Sequence, residues 1–330
     1  MMKKQLFLTL IFLFPTISLV TAKSNLYVSV LIRENYIVGA KNLPTGLYLW
    51  QGDTTWNHIG WKNLPIWSID TASENPDYMF VAAGNGALRT LDGGQSWKIT
   101  TDWRVTEVSD VSIHPLDHHL VYIATSYGIW KTTDGGESWR ESNNGLNPTF
   151  TQTIQCDASS LQRVIAGGEE GLFLSTNQGE SWKPTGPLPV PVKDIISNRQ
   201  TPRLWLAGTE KHGVLISRNQ GKTWGTAEGD IQDQTIYKVT IHQNNPKLMA
   251  AGGYQTGVFI SRDGGQTWKQ NKKGLKTLDI HGLAFDPNEK QRLWIGTMGD
   301  GVYFSEDFGK SWNYAGLSGA LVSDMKFITR

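Results

Sequence analysis

The stretch that decides the fold is Thr132-Thr133-Asp134-Gly135-Gly136-Glu137-Ser138-Trp139. Versions of it recur along the chain, each ending in a tryptophan: Trp56, Trp97, Trp139, Trp182, Trp224, Trp268 and Trp312. Successive spacings are 41, 42, 43, 42, 44 and 44 residues. A period of this size with four short strand-like runs per repeat is the pattern of a β-propeller, in which each repeat builds one four-stranded blade. The third repeat shows the four runs: Val108 to Ile113, Val121 to Thr125, Gly128 to Thr132 and Ser138 to Glu141. The sequence therefore predicts an all-β chain with seven blades over residues 23–330, and the repeat overrides the two-domain prior that 330 residues would suggest.

A ring of blades must close. The run Leu321 to Ile328 reads as another first strand, because Val322-Ser323-Asp324-Met325 matches Val108-Ser109-Asp110-Val111. It is expected to pair with the first blade and staple the two ends together. Leu26 to Ile32 competes for the same place, and the sequence leaves open which of the two is innermost.

The repeated phrase has local turn chemistry. A short Asp or Asn side chain accepts hydrogen bonds from backbone N–H groups just ahead of it, and glycine takes conformations that other residues resist. The acidic position is Asp92, Asp134, Asp263 and Asp307 in four copies, but Asn177 and Asn219 in two; the first copy, Gly52-Asp53-Thr54-Thr55-Trp56, is degenerate. A catalytic carboxylate would not tolerate Asn, which cannot ionise, so these six positions are expected to be structural.

Composition narrows the partner classes. The formal net charge is +1, which gives no overall case for nucleic acid or an anionic membrane surface. Met1-Met2-Lys3-Lys4, the apolar run Leu6 to Val20 and the close Val20-Thr21-Ala22 have the layout of a secretory signal peptide over residues 1–22. That run is short of the about 20 residues a membrane span needs, so no span is expected after cleavage and the mature protein is expected to be secreted or periplasmic. The single cysteine, Cys156, can form no internal disulfide and is expected to be a small buried side chain.

Aligning the first strands gives two columns of side chains that enter the central funnel. One is Trp67, Ser109, Gln152, Lys193, Tyr237, His281 and Ser323; the next is Ser68, Asp110, Thr153, Asp194, Lys238, Gly282 and Asp324. The inter-blade connections add Trp61, Trp103, Arg104 and Phe150. The mixed-charge ring fits a solvated channel mouth with local ion pairs; read instead as a binding surface, its aromatic anchors among mixed charge suit a protein or glycan partner. The expected partner site is thus Trp61, Trp67, Trp103, Arg104, Asp110, Phe150, Lys193, Asp194, Tyr237, Lys238, His281 and Asp324, on the face opposite the repeat turns. Charge reversal at Lys238 is expected to act on association rate and salt dependence provided the side chain lies on the rim of that surface. Asp110, Asp194 and Asp324 come from different repeats with no short ligand spacing, so no metal and no cofactor are expected.

The phrase resembles the Asp-box, or BNR repeat, Ser/Thr-x-Asp-x-Gly-x-Ser/Thr-Trp, and the resemblance covers nearly the whole of the chain after residue 22. It implies a sialidase-like seven-bladed fold. Sialidases add an arginine triad and an Arg-Ile-Pro motif; here the corresponding region is Lys41-Asn42-Leu43-Pro44-Thr45-Gly46, and Arg104 is the one clear arginine on the expected binding face. The xyloglucan-cleaving hydrolases of family 74 are similar too, and Gly46, Tyr48 and Trp50 fit their first-blade phrase. Leu43 falls where they place the catalytic aspartate, and a glycosidase needs two flanking carboxyl groups. The chain looks most like the photosystem II assembly factor-like family, which implies a non-enzymatic assembly or interaction protein binding another macromolecule, and a monomer is expected. A glycan-binding or glycoside-hydrolase-like role is the alternative.

Overall fold

The computed structural model describes residues 23–32, 44–147 and 150–330. The described residues form seven antiparallel four-stranded sheets and no helix. This is the expected seven-bladed propeller. In blades 2 to 7 the strands run in chain order from the channel outward, starting from Ile66–Thr71, Val108–His114, Thr151–Cys156, Val192–Ser197, Ile236–Ile241 and Ile280–Phe285. In the third repeat the last strand is Arg140–Glu141, shorter than expected, because the Ser138 N–H is taken up by the turn before it.

Blade 1 holds both chain ends. Its order is Ala320–Thr329, Ser24–Ile32, Gly46–Gly52 and Thr55–Ile59, so the C-terminal run is innermost and the N-terminal run second. The two pair from Ser24↔Thr329 to Ile32↔Ala320. The division follows from burial. Second strands lie between sheets on both faces; Met79–Ala83, Val164–Gly168 and Trp205–Thr209 are buried at every residue. Leu26 to Leu31 is buried in the same way, whereas Asp324 and Lys326 belong to a strand with one face on the channel. The degenerate first copy is a tight hairpin in which Gly52 pairs Thr55 and Asp53 takes a left-handed φ of 47°.

Each later copy builds the same turn. Thr132 donates its hydroxyl to Asp134 Oδ1 at 2.6 Å and accepts the Gly136 N–H at 2.9 Å. Asp134 in turn accepts the Ser138 N–H at 2.9 Å and its hydroxyl at 2.6 Å. Asp92, Asp263 and Asp307 repeat these bonds. At Asn177 and Asn219 the amide donates instead, to Ser181 Oγ at 2.9 Å and Thr223 Oγ1 at 2.8 Å, and its oxygen still accepts the backbone N–H. The turn therefore needs a short acceptor and not a charge. Two of the tryptophans bridge blades by hydrogen bond: Trp182, 3% exposed, donates to Ser142 O in blade 3 at 2.6 Å, and Trp56 donates to Ala315 O in blade 7 at 2.7 Å, whereas Trp97 and Trp224 donate within their own turns. Cys156 is buried, and burial pushes its thiol well above the ordinary range.

These bonds hold the turn carboxyls low. Hydrogen bonds from Ser96 bring Asp92 to about 2, and those from Thr267 do the same for Asp263, from an ordinary 3.8. At Asp307 burial acts the other way and is outweighed by Ser311, leaving it at about 2. Because the folded values lie below the unfolded one, this stabilisation is present above pH about 4 and is lost as pH falls through about 2. Replacing Asp92, Asp263 and Asp307 together by Asn should flatten the loss of stability over that window. Asp134→Asn should be mild while Asp134→Ala costs about 0.5–2 kcal/mol. Urea titrations across pH read both, and an Asn variant less stable than the Ala variant would refute the structural role.

Candidate functional site

The innermost strands share one irregularity. Pairing skips from Ile66 to Ser68, Val108 to Asp110, Thr151 to Thr153, Val192 to Asp194, Ile236 to Lys238 and Ile280 to Gly282, and a matching shift falls at Ser323 in blade 1. The skipped residues are the first expected column: Trp67, Ser109, Gln152, Lys193, Tyr237, His281 and Ser323. A bulge adds one residue and re-aims side chains, which is how two successive residues per blade reach the channel mouth. Opposite the second column stand small residues: Ala82, Ala124, Gly167, Gly208, Gly252, Gly296 and Ser29. Space explains them, since a Cβ on Gly252 would lie 2.7 Å from Ile280 Cβ in the next blade.

Below the mouth the carboxylates tie blade to blade. Asp324 accepts the Ile69 N–H at 3.0 Å, Asp70 that of Ile113 at 2.7 Å, Asp110 that of Ile154 at 2.9 Å and Asp194 that of Val239 at 2.9 Å. Each bond satisfies a donor that the ladder leaves free on the channel edge. Lys238 Nζ sits 3.3 Å from Asp324 and 3.7 Å from Asp194, and Lys326 pairs with Asp70. The charges line a channel cavity of about 280 Å³. Burial pushes Asp110 up to about 6 and raises Asp194. Burial also works against the Lys238 ammonium, but Asp324, Asp194 and Asp110 outweigh it and hold its pKa above the ordinary value. The structure seats Lys238 in the channel, as its column implies and not on the rim, bonded to carboxylates from two other blades. Its charge serves ring cohesion, so the expected effect on association rate loses its premise.

The face opposite the repeat turns is different in kind. Trp61 is 45% exposed, Trp67 39% and Trp103 86%. Tyr127, Leu188, Tyr254 and Met298 join them from second-to-third turns and inter-blade connections. Among the described residues, seven of the eleven exposed large apolar side chains thus lie on this face, against Leu91 and Leu116 on the repeat-turn face. Tyr127, in the second-to-third turn of blade 3, is an exposed residue of this face that alignment of the first strands does not reach. Phe150 is half-buried and offers less surface than expected. Arg104 pairs with Asp102 at 2.5 Å, Lys193 with Glu210 at 2.9 Å, and the rings of Tyr237 and His281 lie 4.6 Å apart. Leu43 lies outside the described residues. Among the described residues, no three His, Cys, Asp or Glu side chains are grouped to hold a metal, and no helix is long and apolar enough to cross a membrane.

Removing the Lys238 charge tests the channel account. Lys238→Met should cost stability at neutral pH, toward the low end of about 3–5 kcal/mol because channel water screens the carboxylates left behind. Asp110 and Asp194 titrate above their unfolded value, so the folded state takes up protons first and stability recovers as pH falls from about 7 toward about 4. Lys238→Glu should be worse than Lys238→Met throughout. Thermal melts at several pH values read this, and a loss that does not change with pH contradicts it.

Similar structures share the ring. The GH74 enzyme of Niastella koreensis superposes with a TM-score of 0.69 over 91% of this chain, at 16% identity; this chain covers 55% of that enzyme, just over half its length. A YCF48 bound to a D1 peptide superposes with a TM-score of 0.59 at 15% identity, covering 77% of this chain and 83% of that one. YCF48 from Cyanidioschyzon merolae gives 0.58 at 15%, over 76% and 84%. At these identities the likeness is one of fold. No curated protein matches the sequence. The profile of the DUF6242 beta propeller domain matches residues 36–279, and the chain belongs to that family.

Proposed function

We propose that this chain is a secreted or periplasmic, monomeric interaction protein that binds a segment of another protein on the face opposite its repeat turns. The observation that carries the reading is the asymmetry of exposed aromatic and apolar side chains between the two faces, with Trp61, Trp67, Trp103 and Tyr127 following one another from blade 1 to blade 3. Exposed patches of this kind mark interaction sites, and tryptophan and tyrosine are the side chains that most often dominate them energetically. A propeller of the same fold, YCF48, is known bound to a D1 peptide, which supports peptide binding as a use of this ring. The six repeat turns have the bonding that an Asp-box needs, and we assign them to the BNR repeat as fold determinants.

A glycan is the second reading. It is favoured by the exposed tryptophans, since sugar faces also stack on indole, and by the fold likeness to a GH74 enzyme. The carboxylates Asp110, Asp194 and Asp324 do not favour cleavage, because backbone N–H groups and Lys238 occupy them. Export follows from the leader-like residues 1–22, and removal after Ala22 would leave the pairing strand Ser24–Ile32 whole. N-terminal sequencing of the exported protein should begin at Lys23; a start inside Ser24–Ile32 would break the ring and overturn this processing.

The binding test uses mature protein and its native envelope extract, followed by affinity measurement with the recovered partner. Trp67→Ala or Trp103→Ala should weaken binding by about tenfold or more, in line with about 2 kcal/mol for an aromatic anchor. Leu91→Ser and Leu116→Ser, on the repeat-turn face, should not. The reverse ranking assigns the wrong face, and retention of glycans with no protein partner favours the second reading.

A further inference from the structure

The net charge of +1 conceals a local imbalance on the face that carries the repeat turns. In blades 5 and 6 its turns present Arg199, Arg203, Arg218, Lys222, Lys247 and Arg262, all exposed. None of the six forms an ion pair among the described residues, although cations of the neighbouring blades do, as Arg292 does with Glu306 and Arg163 with Asp157. Arg218 donates to Gly264 O at 2.5 Å and Arg262 lies over the Phe308 ring at 5.0 Å. The carboxylate among them, Asp263, is engaged by Ser261 and Thr267 inside its turn. Glu228 shares a groove with Arg218 without pairing to it.

Three of these cations converge. Arg203, Arg218 and Lys247 line one cavity of about 380 Å³ between the two blades, together with Leu204, Pro246 and the turn-bonded Asp263. Guanidinium forks match carboxylate geometry. A lone phosphate would draw on backbone N–H groups as well, but the turn amides are already spent: Gly221 N–H on Ser217, Thr223 N–H on Asn219, Gly265 N–H on Ser261 and Thr267 N–H on Asp263. A membrane would want an apolar anchor, and the exposed apolar residues of this face, Leu91 and Leu116, belong to blades 2 and 3. No exposed aromatic ring stands beside the cations for a sugar to stack on.

We propose that this patch binds an acidic segment of polypeptide, seating one carboxylate among Arg203, Arg218 and Lys247 while neighbouring carboxylates meet the outlying cations. The site lies on the face opposite the aromatic one, so it stands or falls independently of the function proposed above.

The test is fluorescence anisotropy of the mature protein with a labelled ten-residue oligoglutamate peptide, from about 25 to about 300 mM NaCl. Arg203→Glu with Lys247→Glu should weaken binding by about tenfold or more and make its salt dependence shallower. Lys290→Glu in blade 7, a matched exposed reversal, should stay within about twofold. Urea titration confirms that the variants fold. Absence of peptide binding at the lowest salt, or binding that the double reversal leaves unchanged, overturns the proposal. So does tighter binding to anionic phospholipid vesicles or a sulfated polysaccharide that the double reversal abolishes, because the patch would then read a different anion.

Discussion

The pairing of Ser24–Ile32 with Ala320–Thr329 is the constraint on which the other features depend. A propeller whose ends do not meet has two unmatched blade faces and a gap in its channel. Here the gap is closed by strands from opposite ends of the chain, and the innermost of them delivers Asp324 to the Ile69 N–H of blade 2 and toward Lys238 of blade 6. Closure and channel chemistry are therefore one event. Until the C-terminal strand docks, Asp194 and Lys238 lack their third partner, and the Ile69 N–H on the edge of blade 2 has nothing to bond.

The two ends of the ring have taken different work from the same repeat. On one face the aspartate or asparagine of each copy spends its acceptors on its own turn, which leaves a row of similar, self-contained loops. Their variable positions are free to carry charge, and in blades 5 and 6 they carry one sign. On the other face no such phrase constrains the connections, and they carry Trp61, Trp103, Tyr127 and Leu188 into solvent. The bulge in every innermost strand sits at this second mouth and turns Trp67, Lys193, Tyr237 and His281 toward it.

The fold was legible because one local interaction, the turn with its tryptophan, is repeated in six copies at a nearly constant period, with a degenerate seventh. Blade closure was nearly legible as well. The alternation in Ser323-Asp324-Met325-Lys326 fits a strand with one polar face, while Leu26 to Leu31 is apolar almost throughout, as a doubly buried second strand must be. The site was legible only in part. The first column was found by alignment, but the bulge that aims it has no sequence mark of its own beyond the small residues facing it. Its column places Lys238 in the funnel, but its partners were not legible because they lie in other repeats, Asp324 being 86 residues away. The cations of blades 5 and 6 are scattered from Arg199 to Arg262 and cancel against acids elsewhere in the total, so composition could not reveal them.

Native-state hydrogen exchange tests the account of closure most directly. If the terminal strands lock the ring, amides in Ser24–Ile32 and Ala320–Thr329 exchange only with global unfolding, as slowly as those of Ile69, Ile113, Ile154 and Val239 that the channel carboxylates hold. If the two terminal strands exchange through a separate, lower-energy opening while the other six blades stay protected, the ring does not depend on its closure and the account is wrong.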